Sequence, residues 1–240
     1  MPKNVLHIAL MALFLSSCAT QYDIAGNSSL DEVDGHMLYL RVTGNSGESD
    51  VWSLDSCRVE HGRFRFGGAV DSVVLAHVYL GNDLMMPIVI ENGDLQVSIN
   101  QMGQYVEGGQ LNKRLYDFLK KRERLENEIW QVENECIHAL SKGRASVSEV
   151  REKMRRRTSA LNEQIEESEV RFIRENYDNA LGPGYFIMLC NQQIFPTMTE
   201  QLKRIADEAP PTFLSHPYIS NYLRMAGYSF KRPRQRRGGR

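Results

Sequence analysis

The spacing of apolar residues changes once along the chain, at Gly108-Gly109, and this change constrains the fold more than any other feature. Before it, from Tyr22 to about Val106, apolar residues alternate with polar ones or form short runs, as β-strands require. Seven strands are expected, at 22–26, 36–42, 51–59, 63–66, 73–80, 87–91 and 95–99. The pairs Gly26-Asn27, Asp34-Gly35, Gly44-Asn45, His61-Gly62, Gly81-Asn82 and Asn92-Gly93 lie between them. Such pairs favour positive φ and tight connections. Their spacing argues for an antiparallel β-sandwich, with an open barrel as the alternative. Phe64 and Phe66 alternate with Arg63 and Arg65, which puts both rings on one face.

After Gly109 the period lies between three and four. Leu111, Leu115, Phe118, Leu125, Ile129, Val132 and Cys136 keep a 4-3, coiled-coil-like spacing broken only by Arg122. Val147, Val150, Met154, Leu161, Ile165 and Phe172 form a second series, with Arg157 at its break. Ser141-Lys142-Gly143-Arg144 separates the two, and Ser146-Val147-Ser148-Glu149 has the form of a capping box. Two helices of about 30 residues, each roughly 45 Å long, should fold back as an antiparallel hairpin. Arg122 and Arg157 read as edge residues that snorkel. Gly182-Pro183-Gly184 should break the second helix, before an apolar helix at 185–190 and a segment at 197–207. Pro210-Pro211 should start a last helix carrying Phe213, Leu214, Tyr218, Tyr222 and Leu223. The fold class expected is therefore α+β: sandwich, helical hairpin, small helical cap.

The first eighteen residues carry an address. Lys3 precedes the 11-residue run Val5 to Leu15, interrupted only by His7. A spanning helix needs about 20 apolar residues, so this run suits the core of a secretory signal instead. Leu15-Ser16-Ser17-Cys18 follows it, and resembles the lipobox of bacterial lipoproteins, in which Cys18 is lipidated and becomes the mature N-terminus. An ordinary signal peptide with an incidental Cys is the alternative. The lipoprotein reading implies a body anchored in the cell envelope by fatty acyl chains such as palmitate, each buried CH₂ adding about 0.8 kcal/mol. Ala19-Thr20-Gln21-Tyr22 has no acidic run, which favours a periplasm-facing over a surface-exposed location. The divisions expected are 1–17 signal peptide, 18–107 β-sandwich, 108–230 hairpin and cap, and 231–240 disordered basic tail.

In order, the β half carries Tyr22-Asp23-Ile24-Ala25-Gly26, Gly35-His36-Met37-Leu38-Tyr39-Leu40 and Leu54-Asp55-Ser56. Gly62-Arg63-Phe64-Arg65-Phe66-Gly67-Gly68, Pro87-Ile88-Val89-Ile90-Glu91-Asn92-Gly93 and Gly108-Gly109-Gln110-Leu111-Asn112 follow. This succession resembles the domain of unknown function 4369, a β-module near the N-terminus of lipoproteins of Bacteroidetes type. The likeness covers roughly residues 20–112. It implies that such a module and its helices often precede a thioredoxin-like, peroxiredoxin-type domain with a Trp-Cys-x-x-Cys site. No Cys-x-x-Cys occurs here, and neither Trp52 nor Trp130 precedes a Cys.

Chemistry-bearing patterns are sparse. With Cys18 lipidated, Cys57, Cys136 and Cys190 allow at most one internal disulfide, and Cys136 and Cys190 read as small buried apolar residues. Cys57, beside Arg58, is the candidate reactive thiol. His36, His61, His77, His138 and His216 show no metal-ligand spacing, and Glu135 with His138 is half of a di-metal motif without its second half. Gly67-Gly68 and Gly108-Gly109 read as turns. No catalytic residue, metal or cofactor is assigned. The net charge of −1 hides an uneven distribution: −8 over residues 18–105, 0 over 106–230 and +6 in the tail. For an exported chain the basic tail points to anionic lipid, lipopolysaccharide or an acidic protein face rather than nucleic acid, with a merely solubilising role as the alternative. Tyr218, Tyr222, Tyr228 and Phe230 precede it, with core packing as the first expectation. The leading functional expectation is a non-catalytic module that binds an envelope protein or a glycan. The alternative is the accessory half of a thioredoxin-like redox system with a separate catalytic partner.

Overall fold

The computed structural model describes residues 19–43, 51–143 and 146–229. Leu15, Ser16, Ser17 and Cys18, Phe230, the basic tail and the Gly44-Asn45 turn lie outside these described residues. Eight strands come first: β1 Thr20–Ser28, β2 Met37–Thr43, β3 Val51–Arg58, β4 Arg63–Val70, β5 Val74–Leu80, β6 Asp83–Ile90, β7 Gly93–Asn100 and β8 Gly103–Glu107. They form two four-stranded sheets, ordered β4-β1-β7-β8 and β3-β2-β5-β6. Every pairing is antiparallel except β1 with β7. Ile24, Phe66, Leu95 and Val97 from one sheet meet Leu38, Leu40, Val78 and Ile88 from the other in one buried core. The expected sandwich is thus the fold found.

Two details of the strand reading change. β8 had no expected counterpart, because Val106 is its one buried residue and an edge strand so exposed shows little alternation. Gly26, Gly67 and Gly68 lie inside strands rather than in turns. Gly26 faces Phe64 across the ladder and Gly68 faces Tyr22. A Cβ on Gly26 would stand 2.1 Å from Phe64 Cζ, and one on Gly68 2.8 Å from Tyr22 Oη. The glycines leave room for aromatic rings to lie across the neighbouring strand.

Six helices follow: α1 Gln110–Ser141, α2 Val147–Arg174, α3 Leu181–Asn191, α4 Glu200–Glu208, α5 Pro211–Leu214 and α6 Pro217–Met225. The first two form the expected hairpin. At the start of α2 the Ser146 hydroxyl accepts from Glu149 N–H at 3.3 Å, and Ser146 N–H donates to the Glu149 carboxylate at 2.9 Å. Gly182-Pro183-Gly184 does not end α2; it forms the first turn of α3, where proline has no N–H to lose. The expected last helix is two helices, α5 and α6, divided before Pro217. Arg122 is not a snorkelling edge residue. Its Nε lies 3.3 Å from a carboxylate oxygen of Glu169, itself buried, and its Nη2 2.9 Å from Glu126. Arg157 pairs with Glu135 in a solvent-exposed contact at 2.6 Å.

The outer face of the second sheet is covered by helices, so β5 is buried on both sides. Ala76 and Val78 enter the sandwich core, while Leu75 joins the helical core with Val89 of β6, Phe118, Phe172 and Tyr185. Gly184 makes this contact possible, since a Cβ there would stand 2.6 Å from Leu75 Cβ. The exposed edge of β6 is sealed by α1. Asn112 accepts from Val89 N–H at 2.8 Å and donates to Val89 C=O at 2.8 Å, completing the ladder as a further strand would. One turn later, Tyr116 donates to the Pro87 carbonyl at 2.8 Å. The Glu91 carboxylate accepts from Leu111 and Asn112 N–H and so caps α1, whose own cap position is glycine. A backbone with positive φ at Gly108 and Gly109 brings the chain from β8 into this helix.

Candidate functional site: a cleft between sheet and cap

A cleft of about 980 Å³ separates the end of the second sheet from the helical cap. This volume falls within the range of small-molecule sites. One wall is the sheet: Val42 and Thr43 at the end of β2, and Ser72 through Leu75 with His77 along β5. The other wall comes from the α2–α3 connection, from Ile187 and Met188 on α3, and from Thr212, Phe213 and His216. Its surfaces are mainly aliphatic and aromatic. Strand alternation explains the β5 part of this wall, because Ala76 and Val78 turn inward and so present Leu75 and His77 outward.

His77 lies on this outward face of β5 and is only 7% exposed, with no hydrogen-bond partner among the described residues. Burial pushes its imidazole down to about 4, so it is neutral at physiological pH. His216, across the cleft, has a buried Nδ1 without a partner, and burial lowers its basicity too. Arg41 sits directly opposite His77 in the β2–β5 register. Its guanidinium lies 4.5 Å from the Tyr39 ring centre and 5.0 Å from that of Tyr79. No carboxylate among the described residues pairs with it. Tyr79 in turn meets His77 edge to face at 6.4 Å. Four neighbours on the outward face of β2 and β5, two phenols, one guanidinium and one imidazole, thus pack together, and of these His77 lines the cleft.

The sequence singled out His77 and His216 only as scattered histidines. Nothing in a separation of 139 positions signals that they share a cleft. The Arg41 cluster was missed for another reason: its signal is the i, i+2 run Tyr39, Arg41 set against inward Leu38, Leu40. Cys57 lies on β3, half-buried against the sandwich core. Burial pushes its thiol up to about 11, and Arg58 turns away to donate to the Gly35 carbonyl. That setting is the opposite of the one a reactive thiolate needs. Cys136 is buried between α1 and α2 and Cys190 in the cap core, so the three thiols lie in three separate clusters, all free. Tyr218 and Tyr222 are core residues, and Tyr228 is bonded to Asp207. Among the described residues no three His, Cys, Asp or Glu side chains gather where they can hold a metal, and no helix is long and apolar enough to cross a membrane.

An eight-stranded sandwich whose outer face is roofed by a helical hairpin and cap, with the join at Gly108-Gly109, defines the class. The family model described as Domain of unknown function (DUF4369) matches residues 22–115, from β1 to the start of α1. The segment that carries the family's landmarks therefore includes Glu91 and Asn112, the residues that fasten sheet to helix. No curated protein and no solved structure matches the chain.

Proposed function

We propose that the chain is a cell-envelope lipoprotein anchored through Cys18, and that it acts as a non-catalytic binding module whose ligand enters the cleft. The observation that carries the binding reading is the cleft itself: mainly apolar, with a neutral, unbonded His77 in one wall and Asp178 as the charged residue of the other. These groups can hold a ligand by burial, hydrogen bonding and charge. The class of partner expected from the sequence, an envelope protein or a glycan, is tested by placing a photo-reactive residue at exposed Thr212 in the full chain. An adduct formed in living cells, and lost when Ser72→Trp fills the opposite wall, supports the reading. Adduct formation indifferent to that substitution removes it. Recovery of a thioredoxin-fold protein would shift the reading to the accessory redox role. Anchoring is tested separately: Cys18→Ala should release the protein from membranes and end incorporation of labelled palmitate.

A further inference from the structure

We infer that two copies of this chain pair through the outer halves of their hairpins, the seam around Trp130 on α1 of one packing against the start of α2 on the other.

The outer half of α1 carries two apolar seams. Val132 and Cys136 belong to the first, which is buried against Val150 of α2. Trp130, Ile137 and Leu140 form the second, set seven and then three residues apart, the spacing of a helix-packing seam. No helix covers it among the described residues: the three side chains are 65%, 60% and 39% exposed. A groove of about 520 Å³ lies beside it, with Trp130, Asn134 and His138 in its lining. An exposed tryptophan next to a groove, with uncharged neighbours, has the composition of the centre of a protein interface.

Charge selects the partner. Residues 125–141 contain four glutamates and no Lys or Arg. Between Arg151 and Arg157, at the start of α2, five bases stand against Glu152 alone. The hairpin satisfies only part of this complementarity within itself. Arg157 meets Glu135 at 2.6 Å, whereas Glu128, Glu133, Arg151 and Lys153 make no ion pair among the described residues. A second copy supplies both missing halves, because contacts across a twofold axis are reciprocal. Each acidic α1 then meets the other chain's basic α2, and both Trp130 side chains are covered. Packing α1 on α1 would set glutamates against glutamates, which like charges disfavour. An anionic lipid surface is disfavoured by the same glutamates.

The test uses the full chain with Cys18→Ala, which removes any contribution from acyl groups. Sedimentation equilibrium over roughly 1 to 100 µM should show a monomer–dimer equilibrium. Trp130→Ala should weaken it roughly thirtyfold, the worth of a buried aromatic anchor, and leave the melting temperature of the dilute chain unchanged. Ile137→Asn should act in the same direction and serves if the first variant melts earlier. Reversing the bases (Arg151→Glu with Arg156→Glu) should give a monomer, as should reversing the acids (Glu128→Lys with Glu133→Lys). An equimolar mixture of these two variants should dimerise again. In cells, a photo-reactive residue at Gln131 of the chain with its native Cys18 should give an adduct of twice the chain's mass. A chain that stays monomeric over the whole range overturns the inference. So does a dimer indifferent to Trp130→Ala or to charge reversal, or a pair of reversed chains that fails to recover on mixing. An adduct with a different protein overturns it as well, since another occupant then covers the seam.

Discussion

At the scale of single residues, two side chains carry consequences out of proportion to their size. Asn112 closes the edge of β6 through both Val89 groups and also donates to Glu91 at 2.9 Å. Replacing it by Ala leaves a buried N–H and a buried C=O unpaired, at a cost of about 2–4 kcal/mol. Urea unfolding should show this as a lower midpoint with an unchanged slope. His77 makes stability depend on pH. Its folded value of about 4 lies below the ordinary 6.5, so the unfolded chain binds the proton more readily. The stability contributed by keeping it neutral is complete above about pH 6.5 and is lost progressively as pH falls toward 4. Up to about 3 kcal/mol is at stake by the usual conversion of 1.36 kcal/mol per pH unit. Arg41 opposite and His216 across the cleft make a charged His77 no more welcome. His77→Gln should flatten the pH dependence of the melting temperature between 4 and 6.5, and an unchanged slope would exclude the role.

At the scale of elements, close approach explains what periodicity could not. Gly184→Val puts a branched side chain where the backbone of α3 meets Leu75, and overpacking of this kind costs about 1–3 kcal/mol or more. The variant should melt earlier and bind dye for exposed apolar surface. The α1–α2 hairpin behaves differently along its length. Its base is fixed by Phe118 stacked on Phe172 at 4.0 Å and by Glu169, which accepts from Tyr185 at 2.9 Å and Gln201 at 2.7 Å. Burial and the neighbouring Glu169 carboxylate keep the Tyr185 phenol protonated. Its far end has only Val132, Cys136 and Val150 buried, while Trp130, Ile137 and Val147 are exposed. Ser146→Ala should therefore cost about 1 kcal/mol locally. Amide exchange should rise in the distal turns of both helices, with little change at the base. The hairpin was legible in the sequence because long amphipathic helices repeat their signal many times over. The helix start at Leu181 was not, because Gly-Pro-Gly reads as a break unless the close neighbours of each glycine are known.

At the scale of the whole molecule, the two-part organisation was plain in the sequence, but the dependence of one part on the other was not. Leu75 and Val89 looked like ordinary strand residues; only their position on an outward face shows that the sandwich is incomplete without its roof. A chain ending after Gly109 should therefore fail to give a stable monomeric sandwich, exposing both that face and the β6 edge. Size-exclusion chromatography should show aggregates, and a well-behaved monomer would contradict the interlocked architecture. The cleft belongs to this scale as well. Its walls come from residues 42 to 217, so no local pattern marks it. Cys57 shows the reverse case: Arg58 beside it in sequence suggested an activated thiol, yet strand alternation sends the two side chains to opposite faces.

The place of β1 inside its sheet also bears on how the molecule withstands force. The strand is flanked by β4 and β7 and holds register with both along most of its length. A pull on residue 19, the end nearest Cys18, runs along the strand and loads the two ladders together in shear, rather than opening hydrogen bonds one at a time. Detachment then requires breaking the sheet as a unit, and the lifetime under load is set by the unfolding rate. A tether at that end would be sewn into the middle of the fabric rather than its hem.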